Sequence, residues 1–428
     1  MVPIITLDTK KMQRFKDKGL QKLLAPLALV LIYLFFGIFG RNFFTYNTLV
    51  NILDASYYIG FLALGVTFVI ITGGIDLSVG TVMMCAAIAG GTAYRTWGWP
   101  MGASLLLILA VAIAFGFFNG FMVAKLKLPP FIATLGTMMI SMGTGSIISN
   151  VRSAAFPPRT DPSGWFRNIF KIITPERLSI PTGAIVLIAV TVIFHIILTR
   201  TRMGRYIFAI GSNMEAARLS GVNVERWQMS AYVVSGVAAG ISGISFPAVY
   251  TTVMPAQGQG FELFAIAGAV IGGTSLSGGM GSVFGTLIGV FIMAVLRNGL
   301  PAMNLQAHYQ TFFTGVVVIG AVLLDMYRTR KASEVKVLTP ADAFKSEKLE
   351  QISRKKQQYS AAKKKQDSKE AESLKKEILS MQRDLKVTFK KMKSEEKAEA
   401  ARLLQEEKEA EQKFKEMIKN EQKQMSNE

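Results

Sequence analysis

Gly73-Gly74-Ile75-Asp76-Leu77-Ser78-Val79-Gly80 separates two long apolar runs, and Asp76 is the only charged residue between Ala55 and Tyr94. The same spelling returns as Gly272-Gly273-Thr274-Ser275-Leu276-Ser277-Gly278-Gly279, again between apolar runs. An uncharged apolar stretch of about 20 residues reads as a membrane helix, because that length crosses a hydrocarbon core of roughly 30 Å. Irregular backbone at such depth survives only where protein or a water-filled cavity covers it. Paired Gly-rich breaks are therefore the pattern of a transport path. The residues expected to line or gate it are Gly73, Gly74, Asp76, Ser78, Gly80, Gly272, Gly273, Ser275, Ser277 and Gly279. An acidic side chain inside a membrane is costly and marks function. The alternative is that Asp76 only caps a helix beginning at Leu77, while the glycines permit close helix packing.

Working outward, the chain has two compositions. Residues 1–331 hold all 38 glycines, with 24 basic and 10 acidic residues. Residues 332–428 hold the remaining 24 basic and 19 acidic residues, and no Gly or Pro follows Pro340. The expected fold class is all-α: a polytopic membrane protein of about ten transmembrane helices (1–331) with a charged, helical cytoplasmic tail (332–428). The expected spans are 23–40, 56–72, 78–94, 102–123, 131–150, 180–198, 229–249, 261–273, 281–297 and 308–326. The first reads as a retained helix, since no convincing small-residue cleavage site follows it. Within 227–261, Pro255, Gly258 and Gly260 predict a turn. Cys85 is the only cysteine, which excludes an intrachain disulfide or cysteine metal site. His195 and His308 are far apart and beside apolar spans, so no metal site and no cofactor is expected.

The net charge of +19 is not a nucleic-acid signal in the first region, because basic residues near spans follow the positive-inside rule. Ten spans with a cytoplasmic N-terminus put both termini inside, with 16 Lys/Arg inside against 8 outside. The outer loop 151–179 departs from the rule. Within it, Trp165, Phe166, Ile169, Phe170 and Ile172 predict a short interfacial helix; Arg152, Arg159 and Arg167 read as a docking surface for an acidic partner, the alternative being plain contact with lipid headgroups. Both Gly-rich breaks follow spans that run from outside to inside, which predicts a parallel repeat.

The inner loop 200–226 contains Asn213-Met214-Glu215-Ala216-Ala217-Arg218-Leu219-Ser220-Gly221. Asn213 is a helix N-cap, Glu215 lies in the first turn and Gly221 is a C-terminal stop, which predicts a short helix over 214–220. Such a helix can lie in a partner's groove and pass movement to the spans; the plainer reading is an ordinary loop helix. There is no G-x-x-x-x-G-K-[ST] sequence, no His/Cys/Asp cluster and no nucleophile elbow, so neither an ATPase nor another enzyme is expected.

Several of these stretches together resemble the permease subunit of bacterial ABC sugar importers of the ribose-type branch. They are residues 71–80, Pro130-Phe131-Ile132-Ala133-Thr134-Leu135, Arg202-Met203-Gly204-Arg205-Tyr206, 211–222 and 272–282. Glu215-Ala216-Ala217-x-x-x-Gly221 resembles the importer coupling motif, without the usual downstream Ile-x-Leu-Pro. The resemblance implies a cytoplasmic ATPase subunit docking on Asn213, Glu215, Ala216, Ala217 and Gly221. It also implies an extracytoplasmic sugar-binding protein, a second permease subunit and a bacterial inner membrane, with alternating access moving a monosaccharide inward. Alternatives are an ABC permease for nucleosides or another small polar solute, and an ion-coupled carrier using Asp76 or Glu262. The resemblance ends near Arg330. In the tail, Leu374, Ile378, Met381, Leu385 and Met392 follow 3/4 spacing with Thr388 in the seam, which predicts a short self-associating or partner-binding helix.

Overall fold

The computed structural model describes residues 25–333, 340–364 and 368–425. The basic N-terminal residues 10–22 that set the expected orientation lie outside them. A helix occupies every stretch expected as a span. In order these are α1 (Ala25–Phe39), α2 (Tyr46–Ile71), α3 (Val79–Arg95), α4 (Met101–Gly120), α5 (Pro130–Ile148), α7 (Gly183–Arg200), α10 (Val224–Tyr250), α11 (Phe261–Ile271), α12 (Val283–Ala302) and α13 (Ala307–Ser333). Between them lie three short helices, α6 (Arg167–Phe170), α8 (Arg202–Ser212) and α9 (Met214–Leu219). Six helices (α2, α4 with its π-helical extension to Lys125, α5, α7, α10 and α12) are long and apolar enough to cross a membrane. With the shorter apolar helices they make an all-α, multi-pass membrane protein.

Local chemistry sets the helix starts. Thr45, Thr201, Asn223 and Ser282 each accept a backbone N–H from the first turn of α2, α8, α10 and α12. Pro130 sits at the first position of α5, where its missing N–H costs nothing. The membrane window of α2 is entirely buried, so α2 is the central helix.

Small residues let neighbouring backbones approach, which substitutes for a hydrophobic driving force in lipid. Gly65 of α2 lies on Ser235 and Ala238 of α10, and Ser242 Oγ donates to Tyr58 O at 2.8 Å. Residue numbers fall on α10 as they rise on α2, so the two helices are antiparallel. On the other side of α2, the Thr67 and Thr286 hydroxyls are 2.9 Å apart and Gly60 abuts Val290 of α12. α10 repeats this arrangement with α4, through Gly116 on Tyr232 and Gly236, and Gly240 on Leu109 and Ala112. α3 folds back on α4 at Gly90, Ser104 and Ile108, as α11 folds back on α12 at Gly268 and Val290. The matching units are α2–α4 and α10–α12, in opposite directions. The expected parallel repeat is corrected: residues 73–78 lie between α2 and α3, whereas 272–279 lie between α11 and α12, so the repeated spelling does not mark equivalent places.

The loop 151–179 is anchored on the helices. Strands β1 (Ala154–Ala155) and β4 (Thr252–Val253) pair antiparallel, as do β2 (Ile172–Ile173) and β3 (Ser179–Ile180). Phe166 and Phe170 of the expected interfacial helix are buried, while Trp165, Ile169 and Ile172 are exposed. The helix is one 3-10 turn, Pro162–Phe166, followed by α6. Lys171 Nζ meets Asp54 Oδ2 of α2 at 2.7 Å, with both side chains largely buried, and Asp54 Oδ1 has no partner among the described residues. Lys171→Met would strand that carboxylate and is expected to cost about 3–5 kcal/mol. The measurement is the thermal unfolding midpoint in detergent. Adding Asp54→Leu should restore most of the loss, and a single variant as stable as wild type would contradict the account.

Residues Ser333–Glu428 form a separate compact unit. In it α14 (Pro340–Lys364) and α15 (Ser368–Met425) pair as an antiparallel hairpin. Ala341 N donates to Glu396 Oε1 at 2.7 Å, Lys345 stacks over Phe389, and Lys355 bridges Glu377. Leu374 and Ile378 are buried together with Ile352 and Ala362. The tail seam thus packs against α14 of its own chain, where the sequence pattern predicted a second molecule.

Candidate functional site

After α2 ends at Ile71, Gly73 takes φ +79° and the chain turns back toward α10. Asp76 Oδ2 accepts from Ser235 Oγ at 3.0 Å, and Ser235 packs on Gly65. Asp76 therefore stands level with Gly65, six residues and roughly 9 Å back along α2 from Ile71. The first break is an unwound segment that runs back along α2 from its C-terminal end. α3 begins there, at Val79 rather than Leu77.

Asp76 is 2 % exposed. Its Oδ1 accepts from Ser78 N at 3.0 Å, Ser78 Oγ at 2.7 Å and Asn119 Nδ2 at 3.4 Å. Asn119 also donates to Ser78 Oγ at 2.7 Å, and Tyr232 Oη donates to Ile75 O at 3.3 Å. The carboxylate thus gathers α4, α10 and the start of α3 onto the unwound segment, which exceeds the capping role. Asp76, Ser78, Asn119 and Ser235 line a narrow crevice with Val79, Val82, Gly116, Gly236 and Ala239.

The loop 251–260 meets the same point from the other side. A Cβ on Gly80 would overlap Gly258 O and lie 3.0 Å from Glu262 Oε2. Glu262, 5 % exposed, accepts from Gly260 N at 2.9 Å at the start of α11. α11 has 11 residues, about 16 Å, and cannot cross the hydrocarbon alone. α3 and α11 thus start beside one another, each with a buried carboxylate near its N-terminus. Carboxylates there complement the helix dipoles.

The second break lies at the C-terminal end of α11. Gly273, Gly278 and Gly279 have positive φ, and Gly272 packs on Gly285 of α12. Ser275 stands where Asp76 stands in the first spelling. The carboxylate here comes from Asp325 of α13, whose Oδ2 accepts from Ser275 Oγ at 3.1 Å and Leu276 N at 3.0 Å. Gly279 N donates to Ile71 O at 2.9 Å, and a Cβ on Gly278 would lie 3.0 Å from Gly73 N. The two breaks are in contact.

The loop 200–226 folds as expected. Asn213 Oδ1 accepts from Ala216 N at 2.9 Å, Glu215 pairs with Arg218 at 3.0 Å, and Gly221 takes φ +80° while Val222 N donates to Ala217 O at 3.1 Å. Ala217 is buried with Ile210 and Val224, whereas Leu219 is 88 % exposed.

The arginines of loop 151–179 diverge. Arg152 is exposed. Arg159 Nη2 and Arg167 Nε both donate to Ala248 O, near the C-terminus of α10, at 3.0 and 3.1 Å. Arg167, 5 % exposed, also donates to Thr251 Oγ1 at 2.7 Å. Burial, then the neighbouring Arg159 charge, pulls its guanidinium down to about 10, so it stays protonated at neutral pH. Two cations at a helix C-terminus complement its dipole. Sequence reasoning missed Asn119, Ser235, Tyr232 and Asp325; each is an isolated polar residue in an apolar helix, a signal that does not name its partner. Among the described residues no His, Cys, Asp and Glu cluster could hold a metal ion.

The family described as the permease component of branched-chain amino acid transport systems matches residues 48–322. The chain is 36% identical over 326 residues to the ribose import permease protein RbsC of Escherichia coli K12, covering 75% of this chain and 99% of the relative. It is 33% identical over 311 residues to the fructose import permease protein FrcC of Rhizobium meliloti, covering 72% and 86%. It is 32% identical over 302 residues to the autoinducer 2 import system permease protein LsrC of Yersinia pseudotuberculosis, covering 70% and 83%. No solved structure matches significantly.

Proposed function

Since the chain belongs to this family of transport-system permease components, we propose that it is the membrane subunit of an ATP-driven ABC importer that admits a monosaccharide, a ribose-like pentose or a hexose, to the cytoplasm. It is a transport component, not an enzyme. The observation that carries the substrate class is the 36% identity to a ribose permease across 99% of that protein. The family description names amino acids, but the relatives above are named for ribose, fructose and autoinducer 2. The chain carries no nucleotide-binding loop, so a separate cytoplasmic ATPase drives it, docking on α9 around Glu215, Ala216 and Leu219. A sugar-binding protein outside delivers substrate, with Arg152 as the outer arginine free to meet it, and a second permease subunit completes the path in a bacterial inner membrane. ATP binding then favours one arrangement of the breaks through differential contacts.

Cells lacking this chain are expected to lose ATP-dependent uptake of labelled ribose or another monosaccharide and to regain it with the gene. Uptake by the purified chain alone in liposomes, driven by an ion gradient, would favour a secondary carrier through Asp76 or Glu262. A permease for nucleosides or another small polar solute would show as uptake of those solutes but no monosaccharide.

The proposed orientation places both termini and α9 in the cytoplasm. With Cys85→Ser as background, single cysteines at Asn168 and Ser220 should react with an impermeant maleimide from opposite faces. Labelling from one face would refute the orientation.

A further inference from the structure

One turn before α9, the arm that carries it makes a backbone contact with both breaks. A Cβ on Gly211, near the end of α8, would overlap the Ile71 carbonyl oxygen and the Gly279 amide nitrogen. These two atoms are themselves hydrogen-bonded at 2.9 Å, joining the end of α2 to the second break. The approach is mutual: a Cβ on Gly278 would lie 2.9 Å from Gly211 O and 3.0 Å from Gly73 N, and one on Gly279 would lie 2.7 Å from Ser212 Oγ. Glycine inside a helix is about 1 kcal/mol less favourable than alanine. Position 211 is therefore explained by the approach and not by the helix.

We propose that Gly211 is a positioning residue through which movement of α9 reaches both Gly-rich breaks at once, with α8 as the arm. This rests on the reading of α9 as the ATPase docking helix. α9 is fixed to α8 and α10 by the buried cluster of Ile210, Ala217 and Val224. α8 is fixed inward by the buried Gly204, Ile207 and Ile210. At Gly211 the contact is backbone on backbone. No side-chain rotamer there can absorb a displacement, and packed interiors transmit strain. A shift of α8 therefore moves the end of α2 and residues 278–279 together, so the two breaks open and close as one gate.

The test is Gly211→Ala in the complete importer in its membrane, with labelled ribose as the transport probe and ATP hydrolysis read separately. Uptake is expected to fall at least tenfold while ATP hydrolysis persists, because the motor still docks on α9. A purely structural defect would lower both with the amount of protein. Gly102→Ala is the control, since a Cβ there has no neighbour within 4 Å; it should transport as wild type. Gly221→Val separates the two readings. If it transports normally, α9 is not the docking helix and the premise falls. If it stops transport while Gly211→Ala does not, the premise stands and the junction is overturned. Should Gly211→Ala fail to accumulate, hydrogen exchange of the wild-type importer with and without a nonhydrolysable ATP analogue decides. The expected result is a joint change in residues 71–74, 207–213 and 274–282. A change in 207–213 alone would overturn the proposal.

Discussion

Gly221→Val should leave the protein inserted at normal levels and reduce uptake at least tenfold. Gly221 holds φ +80°, and a Cβ added there meets nothing within 4 Å. The effect is therefore conformational and not steric. Left-handed backbone costs an L-residue roughly 1–2 kcal/mol, and most for a β-branched one. α9 has only six residues and is held mainly by its caps and by Ala217. That cost is enough to open the bonds from Gly221 N to Arg218 O and from Val222 N to Ala217 O. Asn and Asp tolerate this region better, so Gly221→Asn should transport close to wild type. The measurement is ATP-driven uptake normalised to protein in the membrane. Equal uptake by the Val and Asn variants would show that the shape of α9 does not matter.

Asp76 should show two separable losses. Asp76→Leu removes the acceptor used by Ser78 N, Ser78 Oγ, Asn119 and Ser235 at a buried site. Each stranded donor costs about 1–3 kcal/mol, so little folded protein should remain. Asp76→Asn keeps the shape and one acceptor oxygen. It replaces charge-assisted hydrogen bonds with neutral ones of about half the strength. Loss of roughly 2–3 kcal/mol at the unwound segment should leave the protein inserted but cut uptake about tenfold. The comparison is uptake and thermal stability of both variants beside wild type. Uptake by Asp76→Asn equal to wild type would reduce Asp76 to a geometric role.

Much of this was legible in the chain because it is local. Length and apolarity placed a helix in each of the ten expected stretches, six of them long enough to cross a membrane, since a hydrocarbon layer of known thickness imposes its own ruler. Asn213, Glu215 and Gly221 placed α9 to within a residue, because capping is a hydrogen-bond relation between neighbours in sequence. The Gly-rich spellings marked both breaks, because few other residues adopt positive φ freely. The 3/4 spacing in 374–392 marked the correct buried face of α15.

Tertiary structure decided every relation between distant segments. The seam of α15 is covered by α14, since periodicity names a face but not what covers it. The repeat is inverted, because equivalence depends on which helices pack and in which direction, and the spelling Gly-Gly-x-x-Leu-Ser reports only local backbone freedom. Arg167 turns inward to Ala248 because an unsatisfied carbonyl near the end of α10 attracts it, a demand invisible in the loop's own sequence. Asp76 could be singled out as costly, but Asn119 and Ser235, 43 and 159 residues away, are what make its burial affordable. Gly211 shows the same limit most sharply: as a letter it is a mild helix defect, and only the neighbouring backbones of Ile71 and Gly279 give it a reason.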